Sequence, residues 1–195
     1  MRVAAVVLAA GASRRLGQPK QLVRIHSETL LGRTLRIVRE AGMDAVVVVL
    51  GAYAELIQAE TELGDAVVVS NPAWETGMAS SIHAGIDRVS AQMPDVEAVL
   101  LLVCDQVRLT SVHLRRLMDA VKLGAIAASV YEGMPGVPAV FPVSAFAQLM
   151  ELRGDAGARN VLKDNPVIPV PFADGVIDID TEEDLRRIES EPSRA

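Results

Sequence analysis

Residues 3–22 read VAAVVLAAGASRRLGQPKQL, and this stretch decides the fold. Its first seven residues are apolar without alternation, which is typical of a strand that is buried on both faces. A loop follows that contains Gly11, Gly17 and the basic residues Arg14, Arg15 and Lys20. Glycines let backbone N–H groups approach an anion closely, and basic side chains supply the opposite charge. The stretch therefore predicts a buried strand that leads into a phosphate-binding loop.

Spacing alone leaves a second interpretation of this loop open. The loop matches neither G-x-x-x-x-G-K-[ST] nor G-x-G-x-x-G, so P-loop NTPases and standard NAD enzymes fit poorly. A solvated basic loop that closes a strand-to-helix turn explains the same residues without a ligand. The net charge of the chain is −6, which disfavours broad binding of nucleic acid by charge. The positive cluster stands out against that acidic background.

The apolar pattern of the first strand recurs along the chain and alternates with helical patterns. Further strands are predicted at residues 45–50, 66–69, 98–103, 125–130, 138–141, 167–171 and 176–179. Helical spacing of apolar residues predicts the intervening helices, the first of which contains Leu31 and Leu35 and ends at Gly42. Because strands that alternate with helices favour a sheet covered on both sides, we expect a three-layer α/β/α fold with a mostly parallel sheet.

Length and composition indicate one cytoplasmic domain. The chain has 195 residues, of which 50% are hydrophobic and 3% aromatic, so we expect a single domain over residues 1–190 and a frayed tail at 191–195. No apolar run reaches the ~18 residues of a membrane span, and the apolar start continues into the loop rather than into a signal-peptide cleavage site. Cys104 is the only cysteine, which excludes an internal disulfide and predicts a small buried hydrophobe. The histidines, His26, His83 and His113, show no metal spacing.

The loops that follow the strands contain the candidate polar residues, because ligands of such sheets bind at the carboxyl ends of the strands. Asp105 follows a purely apolar strand, where a carboxylate suits a hard cation or caps a turn. Asp180 precedes TEED, and helix capping by Thr181 and the acidic residues explains that segment without a ligand. Ser80 and Ser81 stand at a predicted helix start, where they could contact a base or ribose or serve as a cap.

The opening loop also carries a longer pattern. L-A-A-G-x-S-x-R-x-G-x-x-K is satisfied by Leu8, Ala9, Ala10, Gly11, Ser13, Arg15, Gly17 and Lys20. This pattern resembles the signature of the MobA-like nucleotidyltransferases, among which the molybdenum cofactor cytidylyltransferase (MocA-like) group is the closest match. Segments similar to those of that group follow at residues 71–86, 103–106, 136–141, 153–159 and 178–185. The resemblance extends from residue 2 to about residue 188.

The resemblance implies a Rossmann-like nucleotidyltransferase fold and a Mg²⁺-dependent reaction. CMP would pass from CTP to the phosphate of the molybdenum cofactor, molybdopterin, and pyrophosphate would leave. Arg15, Lys20 and Asp105 would be catalytic, and Asp105 would hold the metal with Asp180 or, alternatively, Asp178. The implied nucleotide-binding residues are Leu8, Ala9, Ala10, Gly11, Ser13, Arg15, Lys20, Gly77, Ser80, Ser81 and Asp105. The implied acceptor-binding residues are Gly136, Pro138, Asp155 and Arg159.

Ala10 predicts the choice of nucleotide. Guanylyltransferases of the family usually carry L-A-G-G, whereas the cytidylyltransferase-like group carries L-A-A-G. The methyl group of Ala10 would narrow the base site, and a pyrimidine needs less room than a purine. We therefore expect CTP to be preferred over GTP and ATP.

Two other functions are compatible with the same sequence. In one, the fold uses GTP or transfers the nucleotide to another acceptor, such as a sugar phosphate. In the other, the protein is a non-catalytic accessory factor that binds the molybdenum cofactor and delivers it to a hydroxylase; Arg15, Lys20 and Asp105 argue against it. The expected partners are CTP or another NTP, a molybdopterin-type acceptor and a molybdenum hydroxylase client, without nucleic acid or membrane.

Overall fold

A computed structural model of the protein describes residues 1–25, 27–121 and 125–190. His26 and the predicted frayed tail at 191–195 lie outside the described residues. The strands are β1 Val3–Ala9, β2 Arg24–Ile25, β3 Glu28–Thr29, β4 Ala45–Leu50, β5 Val67–Ser70, β6 Ala98–Val103, β7 Ile126–Tyr131, β8 Met134–Pro142 and β9 Val167–Pro171. The α-helices are α1 Leu30–Ala41, α2 Ala54–Glu60, α3 Met78–Gln92, α4 Ser111–Ala120, α5 Phe146–Glu151, α6 Ala158–Asp164 and α7 Glu182–Ser190. Short 3₁₀ turns span Lys20–Leu22, Trp74–Thr76, Val143–Ala145 and Ala173–Val176.

The central sheet has the strand order β5-β4-β1-β6-β8-β7-β9. β1 runs parallel to both β4 and β6, so that Ala5 lies opposite Val46 on one side and Leu100 on the other. β4 and β5 are parallel, as are β7 and β9. β8 is antiparallel to β6 and to β7. The mostly parallel α/β fold expected from the sequence is confirmed, with β8 as the antiparallel strand that the alternation of elements did not predict.

Two apolar layers cover the sheet. Val3, Ala5 and Val7 of β1 pack into a cluster with residues of α1 and α4. Val6 and Leu8 face the opposite side, in a cluster with residues of α3, α5 and α6. Every residue of β1 is buried, which explains why the strand shows no alternation of apolar and polar residues.

The ends of α1 follow from local chemistry. Oγ1 of Thr29 accepts a hydrogen bond from the N–H of Gly32 at 3.0 Å and caps the helix. At the other end Gly42 has a φ of 85°, a left-handed conformation that glycine adopts without strain. The predicted end of this helix at Gly42 is confirmed.

The strand predicted at 176–179 is wrong. The 3₁₀ turn Ala173–Val176 occupies the start of this segment, and Asp178 forms an isolated bridge with Gln106, which lies beyond the end of β6. Ile179 is fully buried in a small apolar cluster with residues such as Leu16 and Val107. The apolar pattern therefore reflects burial of a connecting segment, because burial alone does not distinguish a strand from a packed loop.

None of the helices that the structure describes is long and apolar enough to span a bilayer.

Candidate active site

The candidate site is centred on the ammonium group of Lys20, beyond the carboxyl ends of β1 and β6. Nζ of Lys20 donates to Oδ2 of Asp105 at 2.8 Å and to Oδ1 of Asp180 at 2.6 Å. Nη2 of Arg15 donates to the second carboxylate oxygen of Asp180 at 2.5 Å. The structure thus brings together four predicted site residues, two of which, Arg15 and Asp180, are 165 positions apart in the sequence.

The environment of Lys20 favours the charged forms of its own ammonium group and of the Asp180 carboxylate. Burial opposes a charged ammonium, but attraction and hydrogen bonds from Asp105 and Asp180 outweigh this effect and raise the pKa of Lys20. The hydrogen bond from Lys20 lowers the pKa of Asp180, with further contributions from the charges of Lys20 and Arg15. Burial and then the negative charges of Asp105 and Asp180 raise the pKa of Asp178. Three aspartates therefore concentrate negative charge around one ammonium group.

The loop after β1 holds Lys20 in place through Ser13. Oγ of Ser13 accepts a hydrogen bond from the backbone N–H of Lys20 at 3.0 Å. The carbonyl oxygen of Ser13 accepts another from the N–H of Leu16 at 3.0 Å. Ser13 itself has a φ of 52°, a strained conformation for a residue with a side chain. Ser13 therefore shapes the turn that positions Lys20.

A cavity of about 530 Å³ opens beside this cluster. It is lined by Leu8, Ala10, Gly11, Arg14, Trp74, Glu75, Gly77, Met78, Ser81, Val103 and Asp155. Five residues predicted to bind nucleotide are among them: Leu8, Ala10, Gly11, Gly77 and Ser81. Asp155, predicted to bind the acceptor, lines the same cavity. These five predicted nucleotide residues therefore line one cavity, which lies next to the charged cluster.

Close packing of two loops shapes the far side of the cavity. Gly77 has a φ of 113°, and a Cβ there would lie 2.6 Å from the backbone nitrogen of Asp155. The carbonyl oxygen of Gly154 accepts a hydrogen bond from the N–H of Ala79 at 3.1 Å. Only glycine at position 77 allows this approach, and Asp155 and Ser81 both line the cavity.

Two residues predicted to bind nucleotide lie elsewhere. Ser80 lines a neighbouring cavity of about 390 Å³, and its hydroxyl donates to the carbonyl oxygens of Ala73 and Gly77. The side chain of Ala9 packs in the apolar cluster on the opposite face of the sheet. Ser81, in contrast, faces the larger cavity and accepts a hydrogen bond from Nδ2 of Asn71 at 3.0 Å.

Two of the remaining residues predicted to bind the acceptor, Gly136 and Arg159, lie against Tyr131. A Cβ at Gly136 would overlap the ring of Tyr131, and Nη2 of Arg159 donates to its hydroxyl at 3.4 Å. The carbonyl oxygen of Pro138 accepts a hydrogen bond from Ser129 at 2.7 Å. None of these three lines the 530 Å³ cavity. The structure therefore brings Gly136 and Arg159 together at Tyr131, and Asp155 alone of the predicted acceptor residues lines the larger cavity.

Two buried glutamines directly follow charged site residues. Gln106 ends the 103–106 segment that carries part of the resemblance, whereas Gln21 was not predicted to act in the site. Nε2 of Gln21 donates to the carbonyl oxygens of Ala9 and Gly11. Nε2 of Gln106 donates to the carbonyl oxygens of Val137 at 3.0 Å and Gly175 at 3.2 Å. Gln106 thereby ties the segment before Asp180 to the end of β6. The signal available for Gln21 was a single amide side chain between Lys20 and Leu22.

Asp105 and Asp180 are suited to hold a divalent cation. Their carboxylates point at one position, which the ammonium of Lys20 occupies, and hard cations prefer such oxygen ligands. Within residues 1–25, 27–121 and 125–190, no group of three His, Cys, Asp or Glu side chains has metal-binding geometry. A cation here would need further oxygen ligands, such as the substrate phosphates that commonly complete a Mg²⁺ site.

Two known proteins illustrate the sequence similarity of the chain. It is 31% identical over 199 residues to nicotine blue oxidoreductase of Paenarthrobacter nicotinovorans, covering 95% of the chain and 96% of that protein. It is 34% identical over 102 residues to the probable molybdenum cofactor guanylyltransferase of Opitutus terrae, covering 49% of the chain and 50% of that protein. The first of these proteins is named as an oxidoreductase and the second as a nucleotidyltransferase.

Solved structures resemble the whole chain. The crystal structure of Rv0371c from Mycobacterium tuberculosis H37Rv superposes with a TM-score of 0.86 and 32% identity, covering 98% of this chain and 99% of that one. A complex of Rv0371C with manganese superposes with a TM-score of 0.80 and 31% identity, covering 98% of this chain and 100% of that one. The model of the MobA-like NTP transferase domain matches residues 5–168. Since this match spans most of the chain, the protein belongs to the family of MobA-like NTP transferases.

Proposed function

We propose that the protein is a Mg²⁺-dependent cytidylyltransferase that transfers CMP from CTP to the phosphate of a molybdopterin-type acceptor and releases pyrophosphate. The observation that carries the proposal is the convergence of Lys20, Arg15, Asp105 and Asp180 beside a nucleotide-sized cavity. Membership of the MobA-like NTP transferase family supports the reaction class. The choice of base and acceptor goes beyond that class and rests on the following arguments.

The reaction needs positioning and charge stabilisation more than proton transfer. An oxygen of the acceptor phosphate attacks the α-phosphorus of CTP, and the bond from that phosphorus to the bridging oxygen breaks. The electron pair leaves with pyrophosphate. Because the acceptor phosphate is already anionic at neutral pH, no general base is required. Preorganised positive groups facing the leaving group then supply most of the stabilisation.

Lys20 and Arg15 are the groups proposed to face the pyrophosphate. Both begin as partners of Asp180, so their charges are held at the carboxyl edge of the sheet before substrate arrives. Arg15 is 73% exposed and free to turn its guanidinium toward a triphosphate, whereas Lys20 is 18% exposed and fixed. Lys20 therefore acts as a point charge of fixed position and Arg15 as a planar fork that adapts to the phosphate.

Asp105 and Asp180 are proposed to bind Mg²⁺ together with phosphate oxygens. The fit rests on two carboxylates that already converge on one cation, and the manganese complex of Rv0371C supports a divalent metal. When bound, such a metal would neutralise charge on the phosphates and orient them. Lys20 would then exchange one of its carboxylate partners for phosphate oxygen.

CTP is the proposed nucleotide because of the size and the hydrogen-bonding groups of the residues that line the cavity. The methyl group of Ala10 lies in the lining of the cavity and narrows it for a purine; about 1–3 kcal/mol of discrimination is typical of one carbon in a pocket. The hydroxyl of Ser81, which accepts from Asn71, can still donate its own proton to an acceptor on the base edge. Glu75 in the same lining can accept from an exocyclic amino group.

A molybdopterin-type acceptor is the least constrained part of the proposal. The name of the Opitutus terrae relative supports a molybdenum cofactor substrate, and the motif around Gly136 and Pro138 supports the same group. The name of the Paenarthrobacter relative instead concerns redox chemistry, so the assay must also follow hydride transfer. A molybdenum hydroxylase is the client expected to receive the product.

Pyrophosphate release tests the proposal. Purified protein is assayed with CTP, GTP or ATP and with Mg²⁺ or Mn²⁺, using molybdopterin cofactor or sugar phosphates as acceptors. A parallel reaction follows the oxidation of reduced nicotinamide cofactor. We expect release with CTP and molybdopterin, with strong losses in Lys20→Ala and Arg15→Ala and normal rates in Arg24→Ala. Arg24 is an exposed basic residue that contacts the carbonyl oxygen of Ser27.

Other outcomes would refute specific parts of the proposal. Release with GTP in place of CTP would overturn the nucleotide choice, and release with sugar phosphate alone would overturn the acceptor. Molybdopterin binding without pyrophosphate release from any NTP would favour the accessory protein. Hydride transfer without pyrophosphate release would favour the redox chemistry named for the Paenarthrobacter relative.

A further inference from the structure

Gln21 is a buried amide that holds the backbone of the loop after β1. Its side chain is enclosed in the protein, with 1% of the residue exposed. Nε2 donates to the carbonyl oxygen of Ala9 at 2.7 Å and to that of Gly11 at 3.0 Å. The intervening carbonyl oxygen, of Ala10, accepts from the N–H of Ala52 at 3.0 Å. Three successive carbonyl groups are therefore each held by a donor within the protein.

These contacts determine the direction of the neighbouring N–H groups. In a trans peptide unit the C=O and the following N–H point in opposite directions. When the carbonyls of Ala10 and Gly11 are turned into the protein, the N–H groups of Gly11 and Ala12 point away from it. Within the described part of the chain, the N–H groups of residues 11–15 donate to no protein acceptor. Ala10 and Gly11 line the 530 Å³ cavity, so this row of donors lies beside the proposed nucleotide site.

The unpaired side-chain oxygen of Gln21, Oε1, indicates that the residue does more than fill space in the core. Oε1 is buried and accepts no hydrogen bond from the described residues, which is unfavourable for a polar atom. A methionine of similar size would fill the space without this cost, but it could not hold the carbonyls of Ala9 and Gly11. The hydrogen bonds from Nε2 to the loop carbonyls therefore explain why an amide side chain is buried here.

We propose that Gln21 is a positioning residue for the nucleotide triphosphate. Gln21 holds the carbonyl oxygens of Ala9 and Gly11 away from the site. The partial negative charges of these oxygens therefore do not face the phosphates. Together with the bond from Ala52 to Ala10, Gln21 also orients the N–H groups of Gly11 and Ala12 as part of an anion-binding nest. This inference rests on the proposed function, since it assigns to Gln21 a role toward the same triphosphate.

Binding of inorganic tripolyphosphate without metal tests the role directly. Isothermal titration compares the wild type with Gln21→Met, which keeps the volume, and with Gln21→Glu, which puts an oxygen in place of the donor. Thr34→Val is the matched control: Thr34 is 3% exposed, and its hydroxyl donates to the carbonyl oxygen of Leu30 at 2.9 Å, within α1. We expect both Gln21 variants to lose affinity by about ten-fold or more, as for lost hydrogen bonds to a charged ligand, and Thr34→Val to keep it.

Kinetics separate a positioning role from general loss of stability. In the Gln21 variants the KM for CTP should rise while the KM for the acceptor stays at the wild-type value. Thr34→Val should lower the urea midpoint, because it also removes a buried hydrogen bond, while the KM for CTP stays at the wild-type value. Tripolyphosphate affinity equal to that of the wild type in Gln21→Met would overturn the inference while leaving the proposed function standing.

A measurement on the wild-type protein does not depend on how the variants fold. In ¹⁵N-resolved spectra, addition of tripolyphosphate should shift the backbone N–H resonances of Gly11 and Ala12, and the side-chain amide of Gln21 should stay protected from exchange. Shifts confined to the side chains of Arg15 and Lys20 would overturn the inference. Absence of binding of both tripolyphosphate and CTP to the wild type would overturn the proposed function with it.

Discussion

Lys20→Met replaces the ammonium between Asp105 and Asp180 with an apolar group of similar length. The wild-type ammonium contacts the two carboxylates at 2.8 Å and 2.6 Å. In the variant, both carboxylates lose this partner and repel each other. We therefore expect the variant to be inactive and also less stable than the wild type at neutral pH.

The size of the stability loss follows from burial. Removing one partner of a fully buried ion pair costs about 3–5 kcal/mol. Here the side chains of Lys20, Asp105 and Asp180 are 18%, 17% and 30% exposed, so water screens part of the interaction and about 2 kcal/mol is expected. For a chain of 195 residues, this corresponds to a decrease in Tm of about 4–8 °C.

The pH dependence provides a signature of the ion pair. The folded pKa of Asp180 is lowered from 3.8, so its contribution to stability is present above that value and is lost as the pH falls through the folded pKa. The folded pKa of Lys20 is raised from 10.5, so its contribution is present below that value and is lost as the pH rises through the folded pKa. The difference between wild type and Lys20→Met should be largest between these limits and should shrink in acid.

Thermal melts of both proteins, with and without Mn²⁺, measure these effects. Because the variant removes the ammonium group between Asp105 and Asp180 and leaves Asp180 with Arg15 alone, Mn²⁺ should raise its Tm more than that of the wild type. Lys163→Met, in the exposed last turn of α6, is the matched control and should melt as the wild type does. Equal melting temperatures of wild type and Lys20→Met across the pH range would refute the reasoning, and an equal response to Mn²⁺ would refute the metal position.

Three further predictions concern the metal, the packing and a buried histidine. Asp105→Asn should raise the Mg²⁺ concentration required for half-maximal pyrophosphate release, whereas Asp87→Asn, at an exposed position of α3, should not; an unchanged Mg²⁺ response would reduce Asp105 to a turn residue. Gly85→Ala should destabilise the fold by about 1–3 kcal/mol in urea unfolding, because a Cβ there would overlap Val6 of β1; wild-type stability would contradict this packing. Burial and the charge of Arg116 lower the pKa of His113 from 6.5 to about 4, so stability should be complete above pH 6.5 and fall as the pH decreases toward 4. Urea midpoints of His113→Gln should show a shallower pH slope than those of the wild type.

The sequence predicted the sheet better than it predicted the connecting segments. β1 was predictable because both of its faces are buried, so that every residue had to be apolar. The end of α1 was predictable because the left-handed conformation at Gly42 is a local requirement. The direction of β8 and the turn at Ala173–Val176 were missed, since strand direction and loop burial depend on contacts with distant elements.

Within the candidate site, the sequence indicated which residues take part more readily than which side chains they contact. Lys20 and Asp105 were identified by their motifs, and the structure then showed that they are bonded to each other and to Asp180. Ser80 and Ser81 are adjacent in the sequence, yet they line different cavities because successive helical residues point in different directions. The role of Gln21 has no motif, because it acts on backbone carbonyls that any residue could provide.

The sequence by itself determined the α/β class, the parallel core strands and the charged loop after β1, because these follow from the burial of short segments and from local backbone requirements. Only the tertiary structure decided which charges meet and which side chains share a cavity. Asp180 reaches Lys20 across 160 positions of the chain, and that contact depends on how α7 and the segment before it pack against the end of the sheet. Such long-range contacts are set by the packing of many residues at once, and no local pattern in the sequence encodes them.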